Sequence, residues 1–379
     1  MSKSSTPKTI GYIFRVIAIN IVILSMILVV IEGLASYALL ARDIMTHPVA
    51  ERRHTKYDPD LGWVNEPSVH IPNMYGQGVY LKTNSQGFRS NHDFDTVVPN
   101  GKYRIICSGD SFTLGYGVDN DHTWCQVLTS LDPRLETVNM GQGGYGVDQA
   151  YLWYKRDGAK LEHHIHLLAF ITDDFHRMQS DMYSGYGKPV IDVENGMLVV
   201  KNVPAPRRAY HFQWLTSNTQ YMMRLRSVEL IERVSRKIGF APSNTGLPSE
   251  KKRNEKTREV LMKIFEDLKR LSEEHSSKLA LVYLPTLGEI EGNEPEEWIQ
   301  FLEIESRALD IPYINALSIF RSLPYENVVG MFIREGQVGY ADAAGHLNDQ
   351  GNEFVARAIY DALKNQPALS QSLSLHRRN

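Results

Sequence analysis

At 379 residues and 42% apolar composition, the chain can bury one large core without disulfide staples. Its 41 basic and 44 acidic residues nearly cancel, and no basic block is long enough to track phosphates, which argues against nucleic acid as a partner. The two cysteines, Cys107 and Cys125, have neither CxxC nor zinc spacing, and Cys107 sits in an apolar run, so a buried thiol outweighs a redox or disulfide role.

The N-terminus carries Lys3, Lys8 and Arg15 and no acid, and Val16 to Ile31 is then apolar except for Asn20 and Ser25. A membrane helix needs about 20 apolar residues, which this segment reaches if it starts near Gly11 or runs past Glu32. The run is longer than the apolar part of a signal peptide, and Ser36-Tyr37-Ala38 is a weak cleavage triplet. An uncleaved, single-pass signal anchor over residues 1–42 is therefore expected, ahead of a cleaved signal, a buried core helix or an interfacial helix. Arg42, Arg52, Arg53 and Lys56 beyond the helix nearly balance the basic start. A short basic start usually stays inside, so the following domain is expected outside the cytoplasmic membrane, on the periplasmic side of a bacterial inner membrane.

Residues 43–102 form an approach segment rich in turn formers, including Asp58-Pro59-Asp60 and Ser85-Gln86-Gly87. Its aromatic residues Tyr57, Trp63, Tyr75, Tyr80 and Phe88 suit packing onto the main domain better than a sugar-binding edge. From residue 103 to 379 apolar runs alternate with helical periodicity. Strands are expected at Tyr103–Ser108, Glu136–Asn139, His166–Ile171, Lys278–Leu284 and Pro312–Ala316. Helices are expected near Thr123–Ser130, Val147–Asp157, Lys256–Glu274, Pro295–Ala308 and Asp349–Lys364. That alternation predicts an α/β fold with a mainly parallel sheet flanked by helices on both faces. An insertion at about 176–250 interrupts it. Val190 to Val200 reads as a hairpin turning at Asn195-Gly196, and Trp214 to Ile238 has helical periodicity between Pro204-Ala205-Pro206 and a turn-rich stretch at 241–249. The insertion suits a substrate-selecting cap or a packing or partner surface equally.

Four stretches carry chemistry. The strand at Tyr103–Ser108 ends in Gly109-Asp110-Ser111, which presents a hydroxyl at the carboxyl edge of the sheet, where open α/β folds place ligands. Gly141-Gln-Gly143-Gly144-Tyr-Gly146 follows the second strand; it formally matches GxGxxG, but it lies after the wrong strand for dinucleotide binding and better suits a backbone N–H aimed at an oxyanion. The third strand empties into Thr172-Asp173-Asp174-Phe175. Asp173, Asp174 and His176 offer too few convergent donors for a metal, and His163, His164 and His166 read as a solvated turn. Finally Asp342-Ala-Ala-Gly-His346-Leu-Asn348 precedes the last helix and brings an imidazole within reach of the sheet edge as a candidate base.

In that order, Gly109-Asp110-Ser111, Asn139 with Gly144, Asp173-Asp174 and His346-Leu-Asn348 resemble the SGNH/GDSL hydrolases. The membrane-anchored bacterial members are most similar, sharing the approach motif Asn84-Ser85-Gln86-Gly87-Phe88-Arg89, and the resemblance covers roughly residues 57–365. It implies an SGNH/flavodoxin-like three-layer domain with no cofactor and no metal. Ser111 would be the nucleophile, His346 the base, and the Ser111 and Gly144 N–H groups the oxyanion donors. Two positions depart from the pattern: Asp173 stands where the family has an oxyanion asparagine, and Ala343 where it has the triad aspartate, leaving Asp342 as the nearest acid. Asp173 could donate from a protonated carboxyl; Asp342 or a backbone carbonyl could orient His346. The implied activity is an ester hydrolase or an O-acyltransferase using an acyl-Ser111 intermediate, on an acylated small molecule or on O-acylated cell-surface or secreted glycans. A degenerate domain that binds glycan or scaffolds a membrane complex is the alternative. Acyl group, acceptor and oligomeric state are not legible in the sequence.

Overall fold

The computed structural model describes residues 6–46, 54–184, 186–206, 225–237, 250–292 and 296–374. Contacts divide the chain into two units, one made of 1–49, 184–186 and 206–247, the other of 50–183, 187–205 and 248–379. The second unit holds the sheet. Its strands are β1 (Tyr103–Gly109), β2 (Leu135–Gly141), β3 (Ile165–Phe170), β4 (Lys278–Tyr283) and β5 (Tyr313–Asn315), in spatial order β5-β4-β3-β1-β2. Every pairing is parallel, with Ile105 opposite Thr137 and Ile165, and Leu281 opposite Leu168 and Tyr313. All five strands fall within two residues of the expected positions.

The sequences explain the layers. Strands β1 and β3 are buried along their whole length, as strands covered on both faces must be, and both read as near-continuous apolar runs. Alternation then assigns the faces. Ile105, Cys107, Ile165, Leu167, Ala280 and Val282 share one buried cluster with Trp124 and Leu128 of helix α3 (Trp124–Leu131), and with Val355 and Ile359 of a helix at Asp349–Asn365. The opposite face meets helix α4 (Val147–Arg156) and the helix at Glu250–Glu274, where His166 stacks on Tyr154 and Phe170 on Phe265.

The approach segment is more ordered than its turn-rich composition suggests. It forms two antiparallel hairpins, Thr55–Asp58 with Gly62–Asn65 and His70–Gly76 with Val79–Lys82. The Asn84 carboxamide accepts the N–H groups of Gln86 and Phe88, closing an Asx turn in which Gly87 takes φ +82°. This turn aims Arg89 into the domain. Arg89 is 4% exposed and donates to the carbonyls of Leu114, Gly115 and Val118 and to the Asn120 carboxamide. At the other end of β1 the buried Arg104 pairs with Glu136 at 2.6 Å and donates to the carbonyls of Thr96, Val97 and Glu162. Packing onto the main domain is thus the role of this segment.

Within the insertion, Val190–Glu194 and Met197–Lys201 form the expected hairpin, with Asn195 and Gly196 at φ +52° and +75°, the conformation an Asn-Gly turn supplies. Of the expected helical stretch Trp214–Ile238, the described part is helical from Arg226 to Lys237; its start and the 241–249 stretch lie outside the described residues.

The first unit contains α1 (Thr6–Thr46), a helix longer at both ends than the apolar run that predicts it. An 18-residue window within its stretch Gly11–Arg42 has a mean hydropathy of 2.7, and the stretch meets the length and composition of a membrane span.

Candidate active site

Strand β1 stops at Gly109 because nothing larger fits: a Cβ there would stand 2.4 Å from the Thr113 hydroxyl and 2.5 Å from the Ala169 carbonyl. The chain then turns at Asp110, whose carboxylate caps the four-residue helix α2 (Ser111–Leu114) by accepting the Phe112 N–H at 2.8 Å. Ser111 is thereby held at the carboxyl edge of the sheet. Its hydroxyl lies 2.7 Å from Nε2 of His346 and 3.4 Å from Oδ2 of Asp110. The sequence-predicted nucleophile and base, 235 residues apart, are in hydrogen-bond contact.

His346 is delivered by a pinned loop. Its carbonyl accepts from Ile333, Gly345 donates back to the Ile333 carbonyl, and Asn348 caps the helix at Asp349–Asn365 through the Gly351 N–H. Asn352 of that helix accepts the Trp124 N–H and donates to the Leu347 carbonyl, tying the loop to the helix at Trp124–Leu131. The imidazole lies against the rings of Phe112 and Tyr116, with centroids 4.4 and 5.3 Å away. Burial lowers its pKa to about 4, against the opposing pull of the Asp110 charge. The ring is neutral at neutral pH, as a general base must be.

For Nε2 to accept the Ser111 proton, the ring proton must reside on Nδ1. Nδ1 is buried and has no hydrogen-bond partner among the described residues; the nearby Ala344 and Ala343 backbone favours the protonated ring without reaching bonding geometry. Asp342 is therefore not the acceptor for His346. It lies exposed in the turn Ala341–Ala343, while Ala343, where the family carries its aspartate, is fully buried against Gly117. The geometry is that of a Ser–His dyad.

The glycine loop is the second wall. Gly144 has φ +76°, and a Cβ there would stand 2.3 Å from the Tyr183 ring; at Gly143 it would stand 1.9 Å from the Tyr116 hydroxyl. Gln142 N–H donates to the Gly109 carbonyl at 3.1 Å, so the loop and the serine turn are joined directly. Among the described residues, neither the Ser111 nor the Gly144 N–H donates to a protein acceptor. Both remain available to an oxyanion.

Asp173 is brought to the start of α5 (Thr172–Arg177) but stays exposed. Its carboxyl is held below the usual range, chiefly by His176, whose Nδ1 is 3.9 Å away. It is ionised at neutral pH, so the protonated donor that the resemblance allowed is replaced by a carboxylate that cannot donate. Among the described residues no three metal-ligating side chains converge.

Two features were missed at the sequence level. Arg177, 15% exposed, spans the carboxylates of Asp110 and Asp174 and the Tyr145 carbonyl. One guanidinium therefore joins the residue before the nucleophile to the residue after Gly144. Burial and the neighbouring Asp110 push Asp174 upward against the pull of Arg177; burial works against the Arg177 charge, but the two carboxylates keep it on. The signal was Arg177 at one helical turn from Asp173-Asp174, which spacing alone does not distinguish from a solvated pair. The second feature is Trp63, whose Nε1 donates to the Gly143 carbonyl at 2.9 Å, and whose carbonyl accepts the Tyr145 hydroxyl. Only the fold brings it there.

No protein-family model matches the chain, and a search of curated proteins finds no match. Solved structures do resemble it. A member of the lipolytic protein G-D-S-L family from Veillonella parvula aligns over 69% of this chain and 99% of its own, at 14% identity and a TM-score of 0.38. A putative lipolytic protein of that family from Desulfitobacterium hafniense aligns over 69% and 99% respectively, at 13% identity and a TM-score of 0.38. The acetyl xylan esterase AlAXEase aligns over 68% and 98%, at 13% identity and a TM-score of 0.39. A parallel sheet of the order β5-β4-β3-β1-β2, whose first strand runs into Ser111 and whose last loop returns His346 to that hydroxyl, is the arrangement that the SGNH/GDSL resemblance implies.

Proposed function

We propose that the chain is a membrane-anchored serine esterase or O-acyltransferase. The observation that carries this reading is the 2.7 Å contact between Ser111 Oγ and a neutral His346 Nε2, beside two N–H donors with no acceptor among the described residues. His346 takes the hydroxyl proton as Oγ attacks the acyl carbonyl; the carbonyl oxygen becomes an oxyanion facing the Ser111 and Gly144 N–H groups. Collapse returns the proton from Nε2 to the departing alcohol oxygen and leaves acyl-Ser111. Water, or a sugar hydroxyl, then gives its proton to Nε2 and attacks the acyl carbon; the acyl C–Oγ bond breaks, Nε2 returns the proton to Oγ, and acid or transferred ester leaves. Hydrolysis and transfer share this machinery, and O-acylated cell-surface or secreted glycans are the substrates that the family resemblance supports. A small-molecule ester would use the same site.

The membrane reading rests on α1, which is exposed all round from Gly11 to Ile31; a domain outside a bacterial cytoplasmic membrane rests on its short basic start. The degenerate alternative is favoured by the lone Nδ1 of His346 and by the charge on Asp173. One experiment separates the readings. The full chain in detergent is offered p-nitrophenyl acetate and acetylated xylo-oligosaccharides, with and without a sugar acceptor, beside Ser111→Ala. Serine-dependent acetate release or transfer is expected; equal rates for both proteins across a broad pH range would favour a binding domain.

A further inference from the structure

The first unit contains a second helix, α6 (Arg226–Lys237), whose amphipathy is inverted. A helix on a water-soluble domain turns apolar residues inward and charges outward. Here Arg226 and Glu229 are 5% and 7% exposed and paired at 2.7 Å, while Val228, Ile231 and Val234 are 49%, 64% and 49% exposed, and Leu225, just before the helix, is 40% exposed. At about 100° per residue the three helical positions fall within roughly a third of the circumference. They form one strip of exposed aliphatic surface, directed away from a buried ion pair.

The place where α6 meets α1 says what covers that strip. From Gly11 to Ile31 every residue of α1 is exposed, and at 1.5 Å per residue these 21 positions run about 31 Å, close to the ~30 Å of a hydrocarbon core. The next residue breaks the pattern. Glu32, Ala35, Ser36 and Leu39 are 4%, 4%, 1% and 2% exposed, a buried face at helical spacing. The Glu32 carboxylate accepts the backbone N–H groups of Arg226 at 2.5 Å and of Ser227 at 3.0 Å. The start of α6 is thus bonded to α1 at the first position past the stretch whose length matches the membrane. A bilayer crossed by Gly11–Ile31 would therefore set the start of α6 at the level of the headgroups.

We propose that α6 is an interfacial helix, seated with Val228, Ile231 and Val234 in the boundary between headgroups and acyl chains of the bilayer that α1 crosses. Its partner is lipid, as expected for a helix with one apolar exposed face at membrane depth. The segment interrupting the catalytic fold then contributes a second membrane contact to the anchor. The inference rests on the membrane-anchor reading and goes beyond it.

Nitroxide labels on the full chain, reconstituted in vesicles of phosphatidylcholine and phosphatidylglycerol, test both separately. Labels enter at Ile231→Cys, at Val22→Cys in α1, and at Val97→Cys, 67% exposed in the catalytic unit; native Cys107 and Cys125 are buried, and the unsubstituted chain gives the background. Collision with oxygen, which partitions into lipid, is compared with collision with a water-soluble nickel chelate. The expected result is an oxygen-to-nickel ratio at 231 at least about fivefold above that at 97 and on the side of 22. A lipid-like label at 22 with a water-like label at 231 would overturn the interfacial helix and leave the anchor standing. Shielding of 231 from both quenchers would overturn it in favour of a protein partner or second copy. A water-like label at 22 would remove the anchor and the inference with it.

Discussion

The burial of His346 fixes how the site should respond to acid. Its pKa of about 4 in the fold, against about 6.5 for an exposed imidazole, means that the base stays neutral well below neutrality. At about pH 5 roughly nine-tenths of the molecules would hold a neutral His346, where an unperturbed histidine would be only about 3% neutral, a roughly thirtyfold difference in competent base. The rate of labelling of Ser111 by a fluorophosphonate, followed from about pH 3.5 to 8, reads this fraction without knowledge of the substrate. The acid limb should have its midpoint near 4, and His346→Ala should abolish the limb along with most of the rate. A midpoint at or above about 6.5, with the protein folded, would refute the burial argument.

Stability must be followed in the same buffers, because the same shift acts on the fold. A histidine whose folded pKa lies below its unfolded value stabilises the protein fully above about pH 6.5 and loses that contribution as pH falls toward 4, an effect on the order of 3 kcal/mol for a shift of this size. His163, also lowered to about 4 by burial, and His166, held well below the ordinary imidazole range by burial, act in the same direction. Circular dichroism should therefore show stability falling through that window while specific reactivity of the folded fraction holds.

Three substitutions probe the rest of the site. Asp342→Asn should change esterase kcat/KM by less than about threefold, since the residue is exposed and Nδ1 of His346 has no partner; a loss near the ~10⁴ of a disabled triad aspartate would place it in the triad after all. Gly144→Ala pushes a methyl into the Tyr183 ring at a positive φ, and displacing one oxyanion donor should lower kcat by about 10²–10³ with KM little changed. Arg177→Met leaves the Asp110 and Asp174 carboxyls buried without their cation. It should cost about 3–5 kcal/mol in chemical denaturation, and Asp174→Asn in the same chain should recover part of that loss.

The legible part of the fold was the part with strong periodicity. Ile105 to Cys107 and Leu167 to Phe170 are apolar without interruption because helices cover both faces, and that signal located the strands at the centre of the sheet. The pairing of Ser111 with His346 was legible through the order of short motifs. Side-chain reach was not. The Asp342 question turns on how a three-residue turn directs its side chains, and the Asp173 question on whether the start of α5 faces solvent. Arg177, Trp63 and Arg89 act on backbone carbonyls far away in sequence, contacts that leave no periodic trace. The inverted helix at Arg226–Lys237 had visible periodicity, but which side faced outward depended on its union with Glu32.

The account stands on Ser111 being an activated nucleophile. The most direct measurement is intact-mass and peptide mass spectrometry of the full chain after exposure to a fluorophosphonate at neutral pH. The expected result is one adduct, on the peptide bearing Ser111, absent in Ser111→Ala and strongly slowed in His346→Ala. A folded protein that takes up no adduct, or takes it equally in Ser111→Ala, would contradict it.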